Sequence, residues 1–299
     1  MALDLFTYFS DFIILLFLTP IYLFICVVIL LNWIKDKTLP QVDQLIVGIS
    51  VCNIVEEMMR SIRLLDIVYS SRRIIKIHVP LCFLAMSCNV WFSTFLCVYF
   101  CLKIVNVKNT LYICLQRNFQ KVFPRLFISA ILGSVLVCVP FILKVIEETS
   151  AVNMSTINKK RNLRDIVITY KDSSAFMILS WIALLILSIS ALAIVTSLFK
   201  HIIQVQENFG GFRSPNMKAH VQALKTIIFF LLINFLMLIT ATAYITLQEM
   251  TLHYVIIPLY GVTKAMVCWS LIKGNRNLDK TMRNILRKLH YPKKFNDKD

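Results

Sequence analysis

Apolar residues run along this chain in long blocks that charged residues break only at intervals. Phe12–Ile34, Ile77–Leu102, Ser173–Phe199 and Thr226–Gln248 each hold 23 to 27 residues without an Asp, Glu, Lys or Arg, and Leu126–Leu143 holds 18. The hydrocarbon core of a bilayer, about 30 Å thick, takes roughly 20 such residues in a helix. Within it only helices and closed barrels satisfy their own backbone. Five blocks therefore predict membrane-spanning helices. Two further segments are apolar but carry charge: Gln41–Leu65 contains Asp43, Glu56, Glu57, Arg60 and Arg63, whereas Met250–Ile272 contains only Lys264. Together they predict an all-α membrane protein with spans near 12–34, 41–65, 77–102, 124–146, 173–199, 224–248 and 251–273, and a tail over 274–299.

Composition agrees. Of 299 residues, 58% are apolar and 16% charged, against about 45–50% and about 25% in an ordinary soluble domain. A mean hydropathy of +0.72 with only 6 Gly excludes a disordered or collagen-like chain. The net charge of +16 would suggest a nucleic-acid partner in a soluble protein. Here its placement argues otherwise. With the N-terminus outside, the inner segments hold 20 Lys and Arg and the outer ones 10. That asymmetry predicts N-out, C-in, although Arg72, Arg73 and Lys76 fall on the outer side. The leader carries Asp4 and Asp11 but no basic residue, so it lacks the positive region of a signal peptide. The positive charge then faces anionic lipid or a cytoplasmic partner, not nucleic acid. In the tail, basic residues at 276, 280, 283, 287 and 288 alternate with Leu278, Met282, Ile285 and Leu286. This is the spacing of an amphipathic helix lying on a membrane.

Motifs for chemistry are scarce. Eight of the nine cysteines lie in or beside spans, Cys114 lies in an inner loop, and none lies in an outer segment, so no disulfide is expected to tie the outer loops. No paired CxxC or HExxH suggests a metal, and no cofactor is expected. Gly210-Gly211 stands without the Lys-Ser/Thr of a phosphate loop, and no GxSxG elbow is present, which argues against an enzyme. No internal repeat of the kind many transporters show is visible. Asn153-Met154-Ser155 is the only glycosylation sequon, and it falls in the expected outer loop 147–172. Lys264 is the sharpest anomaly. A charge near the bilayer centre costs about 2.5–3.5 kcal/mol on insertion scales, so Lys264 is expected to pair with Glu56 or Glu57, with Arg60 competing for the same carboxylate. The alternative is a Schiff base to retinal.

The inner ends of the spans carry a resemblance. Trp33-Ile34-Lys35 with Val42-Asp43-Gln44-Leu45-Ile46 resembles the first inner loop of the bitter taste receptor family (taste receptor type 2). Trp91-Phe92-Ser93-Thr94, Leu96 and Leu102-Lys103-Ile104-Val105-Asn106 are similar to that family's third helix at the same spacing. Ser197-Leu198-Phe199-Lys200-His201 with Gln206 resembles the end of its fifth. Pro215, His220, Ala223-Leu224, Thr226 and Phe230-Leu231-Leu232 resemble the entry to the sixth. Leu271-Ile272-Lys273-Gly274-Asn275 with Leu278 resembles the end of the seventh. Departures are clear as well. Ile21-Tyr22 stands where the family has Gly-Asn, Asn53 where it has Arg, Ala183 where it has the fifth-helix proline, and Lys264 where it has the seventh-helix proline.

The resemblance implies a seven-transmembrane-helix G-protein-coupled receptor of the plasma membrane. It would bind small bitter compounds between the helix tops and activate a heterotrimeric, gustducin-like G protein. Cys82, Met86 and Asn89 share one helix face and, with Met237 and Ile257, are expected to line the ligand cavity, or else to be ordinary helix–helix core. Leu102, Lys103, Ile104, Asn106, Lys200, His201 and His220 are expected at the G-protein cleft by the same resemblance. Neither Asp-Arg-Tyr after the third span nor Asn-Pro-x-x-Tyr in the seventh is present, so a standard rhodopsin-like switch is not expected. Another sensory receptor, namely a pheromone receptor or an opsin using Lys264, and a transporter stay open as alternatives.

Overall fold

The computed structural model describes residues 2–69, 72–105, 110–154, 174–209, 228–237, 239–240 and 250–290. Among these residues every regular element is a helix: α1 (Ala2–Asp36), α2 (Gln41–Tyr69), α3 (Arg72–Ile104), α4 (Thr110–Met154), α5 (Ser174–Phe209), α6 (Ile228–Met237), α7 (Met250–Gly274) and α8 (Arg276–His290). Among the described residues, four stretches are long and apolar enough to cross a bilayer: Phe12–Asp36, Pro80–Ile104, Tyr112–Val139 and Met177–Lys200.

The helices overrun the expected spans. α4 has 45 residues and takes in 110–123 and 147–154, which sequence alone leaves to flanking loops. At about 1.5 Å per residue it is roughly 68 Å long, more than twice the ~30 Å of hydrocarbon. Hydropathy marks where lipid contact ends, whereas a helix ends only where its backbone finds another partner. The end of α1 shows one such stop. Lys37 turns into the left-handed region at φ 52° while its N–H still donates to Trp33 O at 2.8 Å.

α3 is the hub, packing against α2, α4 and α5, while α1 lies against α2 and α7. Tyr22, Leu45, Ile49 and Ile194 are fully enclosed, but Leu136 is 70% and Ile189 67% exposed. An apolar exterior around a partly polar interior is what a lipid solvent selects. Buried polar contacts join the helices: Asn89 Nδ2 donates to Asn53 Oδ1 at 3.1 Å, and Thr94 Oγ1 to the carbonyl of Ala183 at 3.2 Å. Two glycines permit close approach. A Cβ on Gly48 would stand 2.9 Å from the Phe92 ring, and one on Gly261 2.4 Å from Ile14 Cδ1.

Asn275 makes the joint between α7 and α8. Its Oδ1 accepts from the N–H groups of Asn277 at 3.0 Å and Leu278 at 3.3 Å, capping α8, while its Nδ2 donates to Asp43 Oδ1 at the start of α2, 2.8 Å away. α8 is amphipathic as its spacing predicts. Leu278 is fully buried, and Lys280, Arg283, Arg287 and Lys288 are exposed. Ile285 and Leu286 also remain exposed, which suits a helix resting on lipid.

Candidate functional site

The second and seventh helices meet in a buried ion cluster. Glu56 and Glu57 are each 1% exposed and Lys264 is fully enclosed. Lys264 Nζ lies 2.8 Å from both Glu57 Oε1 and Glu56 Oε2; it is aligned to donate a hydrogen bond to Glu57, and its contact with Glu56 is Coulombic. Arg60, three and four positions on along α2, donates to Glu57 Oε1 at 2.8 Å and to Glu56 Oε1 at 3.1 Å. Two carboxylates and two cations leave no net charge. That balance is what makes four ionised groups tolerable where water is scarce.

Tyr260 closes the cluster. It sits one turn before Lys264, and its hydroxyl donates to Glu56 Oε1 at 2.6 Å. Arg60 Cζ lies 4.6 Å and Lys264 Nζ 5.0 Å from the centre of its ring, so both cations use the aromatic face. Tyr22 on α1 holds the backbone of the same turn, donating to the carbonyl of Lys264 at 3.0 Å. The expectation from sequence was one glutamate for Lys264; the geometry gives it both.

Tyr260 also walls a cavity. A narrow cavity of about 30 Å³, partly open, lies between Met86, Asn89, Val90, Ser93 and Thr94 of α3, Leu184 and Leu187 of α5, Asn234 and Met237 of α6, and Tyr260 of α7. The polar groups here are amides and hydroxyls, and the rest of the lining is aliphatic, thioether and aromatic. This lining suits a small, largely apolar molecule held by a few hydrogen bonds, and the flexible side chains of Met86 and Met237 would have to move aside to admit one.

Of the residues expected at the ligand cavity, Met86, Asn89 and Met237 line this one, and Cys82 is not part of its wall. The Ile257 side chain lies outside the described residues. Tyr260, Asn234, Leu184 and Leu187 were not foreseen. Tyr260 shares a face with Lys264 at i−4, which is the one signal that marks it. At the α8 end of the bundle, Leu102 is a core residue at 5% exposure, and Ile104 is partly buried. Lys103 and Lys200 are exposed, and the Lys103 ammonium lies 5.7 Å from the centre of the Tyr99 ring. Asn106, His220 and the His201 side chain lie outside the described residues, and Asn153 falls in the last turn of α4, its side chain likewise outside them.

Comparison with known proteins identifies the bundle. The family model for the taste receptor protein (TAS2R) matches residues 5–290, nearly the whole chain. Taste receptor type 2 member 4 of Homo sapiens is 28% identical over 223 residues, covering 71% of this chain and 72% of that protein. Taste receptor type 2 member 114 of Rattus norvegicus is 29% identical over 212 residues, covering 67% and 65%. Taste receptor type 2 member 104 of Mus musculus is 27% identical over 223 residues, covering 70% of each. These are receptors rather than an enzyme class, and the match sets aside the opsin, pheromone-receptor and transporter readings. A multi-pass helical bundle that matches one receptor family over nearly its whole length has a plain assignment: the chain belongs to the taste receptor (TAS2R) family and shares its seven-helix, G-protein-coupled architecture.

Proposed function

We propose that this receptor of the bitter taste class takes small molecules into the cavity between α3, α5, α6 and α7 and signals through a gustducin-like heterotrimeric G protein at the α8 end. The observation that carries this reading is Tyr260, which lines the cavity and also bonds to the α2–α7 ion cluster. A ligand pressing on Tyr260 bears on a contact that holds two helices together, so occupancy has a route to helix position. Lys103, Ile104, Asn106, Lys200, His201 and His220 form the transducer surface in this reading, and Leu102 supports it from the core.

The orientation proposed is N-terminus outside in the plasma membrane, with Asn153 glycosylated and α8 resting on the inner leaflet through its basic face. A screen of small bitter compounds in cells given a taste-type Gα, read as calcium release, tests the function. Met237→Trp, which fills the cavity, should abolish the response while the receptor still reaches the surface. A response unchanged by that substitution would remove the cavity from the mechanism. Digestion with N-glycosidase, compared with Asn153→Gln, tests the orientation; an unchanged gel mobility of wild type would count against it.

A further inference from the structure

We infer that the cavity selects uncharged compounds and rejects ammonium ions, and that Arg60 and Tyr260 set this selectivity. The inference rests on the cavity being the ligand site and adds the class of molecule it takes.

A cation entering a chamber of low polarity needs a counter-charge or an open aromatic face. Among the described residues no carboxylate lines the cavity; its wall residue Tyr260 bonds to Glu56, one of the buried pair Glu56 and Glu57. Both are already engaged: Glu56 by Tyr260, Arg60 and Lys264, and Glu57 by Arg60 and Lys264, at 2.6 to 3.1 Å. The ring of Tyr260 would otherwise attract an ammonium, but it already holds Arg60 and Lys264 within 4.6 and 5.0 Å. An incoming cation would meet a cluster whose two carboxylates are already balanced by two cations, with no net negative charge left to answer its own. A neutral molecule meets no such barrier. Asn89, Ser93 and Asn234 offer it amide and hydroxyl partners, and Met86 and Met237 a deformable apolar wall.

The test uses a pair of probes alike in shape and different in charge, 4-tert-butylbenzyl alcohol and 4-(trimethylammonio)benzyl alcohol, together with further pairs in which a quaternary carbon is exchanged for nitrogen. Full-length receptor is expressed in cells carrying a taste-type Gα, and surface level is measured alongside calcium release. In wild type the neutral members should activate and the cationic members should be about tenfold or more weaker, or silent. Arg60→Gln leaves one carboxylate uncompensated and removes the nearer of the two cations from the Tyr260 ring, so it should narrow the gap within a pair to about threefold or less. Should that variant fail to reach the surface, Asn234→Asp adds a carboxylate to the cavity wall without touching the cluster and should narrow the gap in the same way.

Equal potency of the two members in wild type overturns the inference, as does an unchanged gap in whichever variants reach the surface. Silence of wild type toward every neutral member also overturns it. Failure of the underlying reading looks different: the neutral response would then survive Met237→Trp undiminished.

Discussion

Lys264 and Glu57 are 207 positions apart in the chain, yet the ammonium nitrogen of one lies 2.8 Å from a carboxylate oxygen of the other, both sealed from solvent. Removing one partner of such a pair typically costs about 3–5 kcal/mol, because the remaining charge stays buried. Lys264→Met should therefore cut surface expression severely. The two glutamates should differ as suppressors. With Glu57→Gln added, Glu56 keeps Arg60 and the Tyr260 hydroxyl; with Glu56→Gln added, Glu57 keeps only Arg60 of its hydrogen-bond donors. Expression of Lys264→Met/Glu57→Gln should exceed that of Lys264→Met/Glu56→Gln. Flow cytometry of tagged receptor checks the order, and strictly additive losses would contradict it.

The two close glycines make opposite demands. A methyl on Gly261 would meet Cδ1 and Cγ1 of Ile14, an arm that a χ1 change swings aside at a rotamer cost of about 0.5–1.5 kcal/mol, so Gly261→Ala should cost less than Gly48→Ala in detergent thermostability. A methyl on Gly48 meets the ring of Phe92, and that ring is stacked on Phe127 with centroids 4.7 Å apart and planes 10° from parallel. It has no room to give. Gly48→Ala should cost about 1–3 kcal/mol, and Phe92→Leu should recover part of the loss. The contact at Gly261 is nominally the tighter, so this order separates the argument from a reading by distance alone.

Coupling and binding should separate at the α8 end. Lys103→Ala and His220→Ala are expected to lower the maximal calcium response while leaving the half-maximal concentration nearly unchanged. Leu102→Ala should behave differently, since a buried leucine lost from a core costs about 2–5 kcal/mol. Its effect should appear as lower surface level. A large shift in potency for Lys103→Ala with an intact maximum would place that residue with the ligand.

In α8, Asp279 takes hydrogen bonds from Arg283 and from Lys273, the latter at 2.8 Å, and these hold its carboxyl down at about 2. Because the folded value is lowered, the stabilisation is complete above the ordinary value of 3.8 and is lost as pH falls through about 2. Amide exchange over 276–290, corrected for intrinsic rate, should thus show level protection from neutral pH to about 4. Asp279→Asn should lower protection across that whole range.

What the sequence makes legible follows from which interactions are local. Blocks of apolar residues declare the spans, and the i, i+3 and i+4 spacing of Leu278, Met282 and the basic residues declares α8, because both depend on nearby neighbours. The need of Lys264 for an acid is also visible, since an unpaired charge in lipid is costly whatever the fold. That it meets both Glu56 and Glu57 is not, because this depends on the relative depth of α2 and α7 in the bundle. Helix ends were missed where apolar spans continue into polar helix, as α4 does. The cavity was half visible. Met86 and Asn89 share a face of α3, but Asn234 and Tyr260 become neighbours only through the packing of separate helices.

The position of Arg60 also bears on how the chain is made. Synthesis delivers α2 to the membrane when the segment carrying Lys264, some 207 residues further on, does not yet exist. Two glutamates arriving alone would be a poor substrate for insertion. Arg60 lies on the same helix at i+3 and i+4, so it reaches both carboxylates within α2 itself, at 2.8 and 3.1 Å, before any other helix is present. At i+3 and i+4 it needs no other helix to reach both acids, whereas Lys264 can join them only after α7 has been made. Arg60 and Lys264 answer the same two charges, and the order of translation makes Arg60 available to them first.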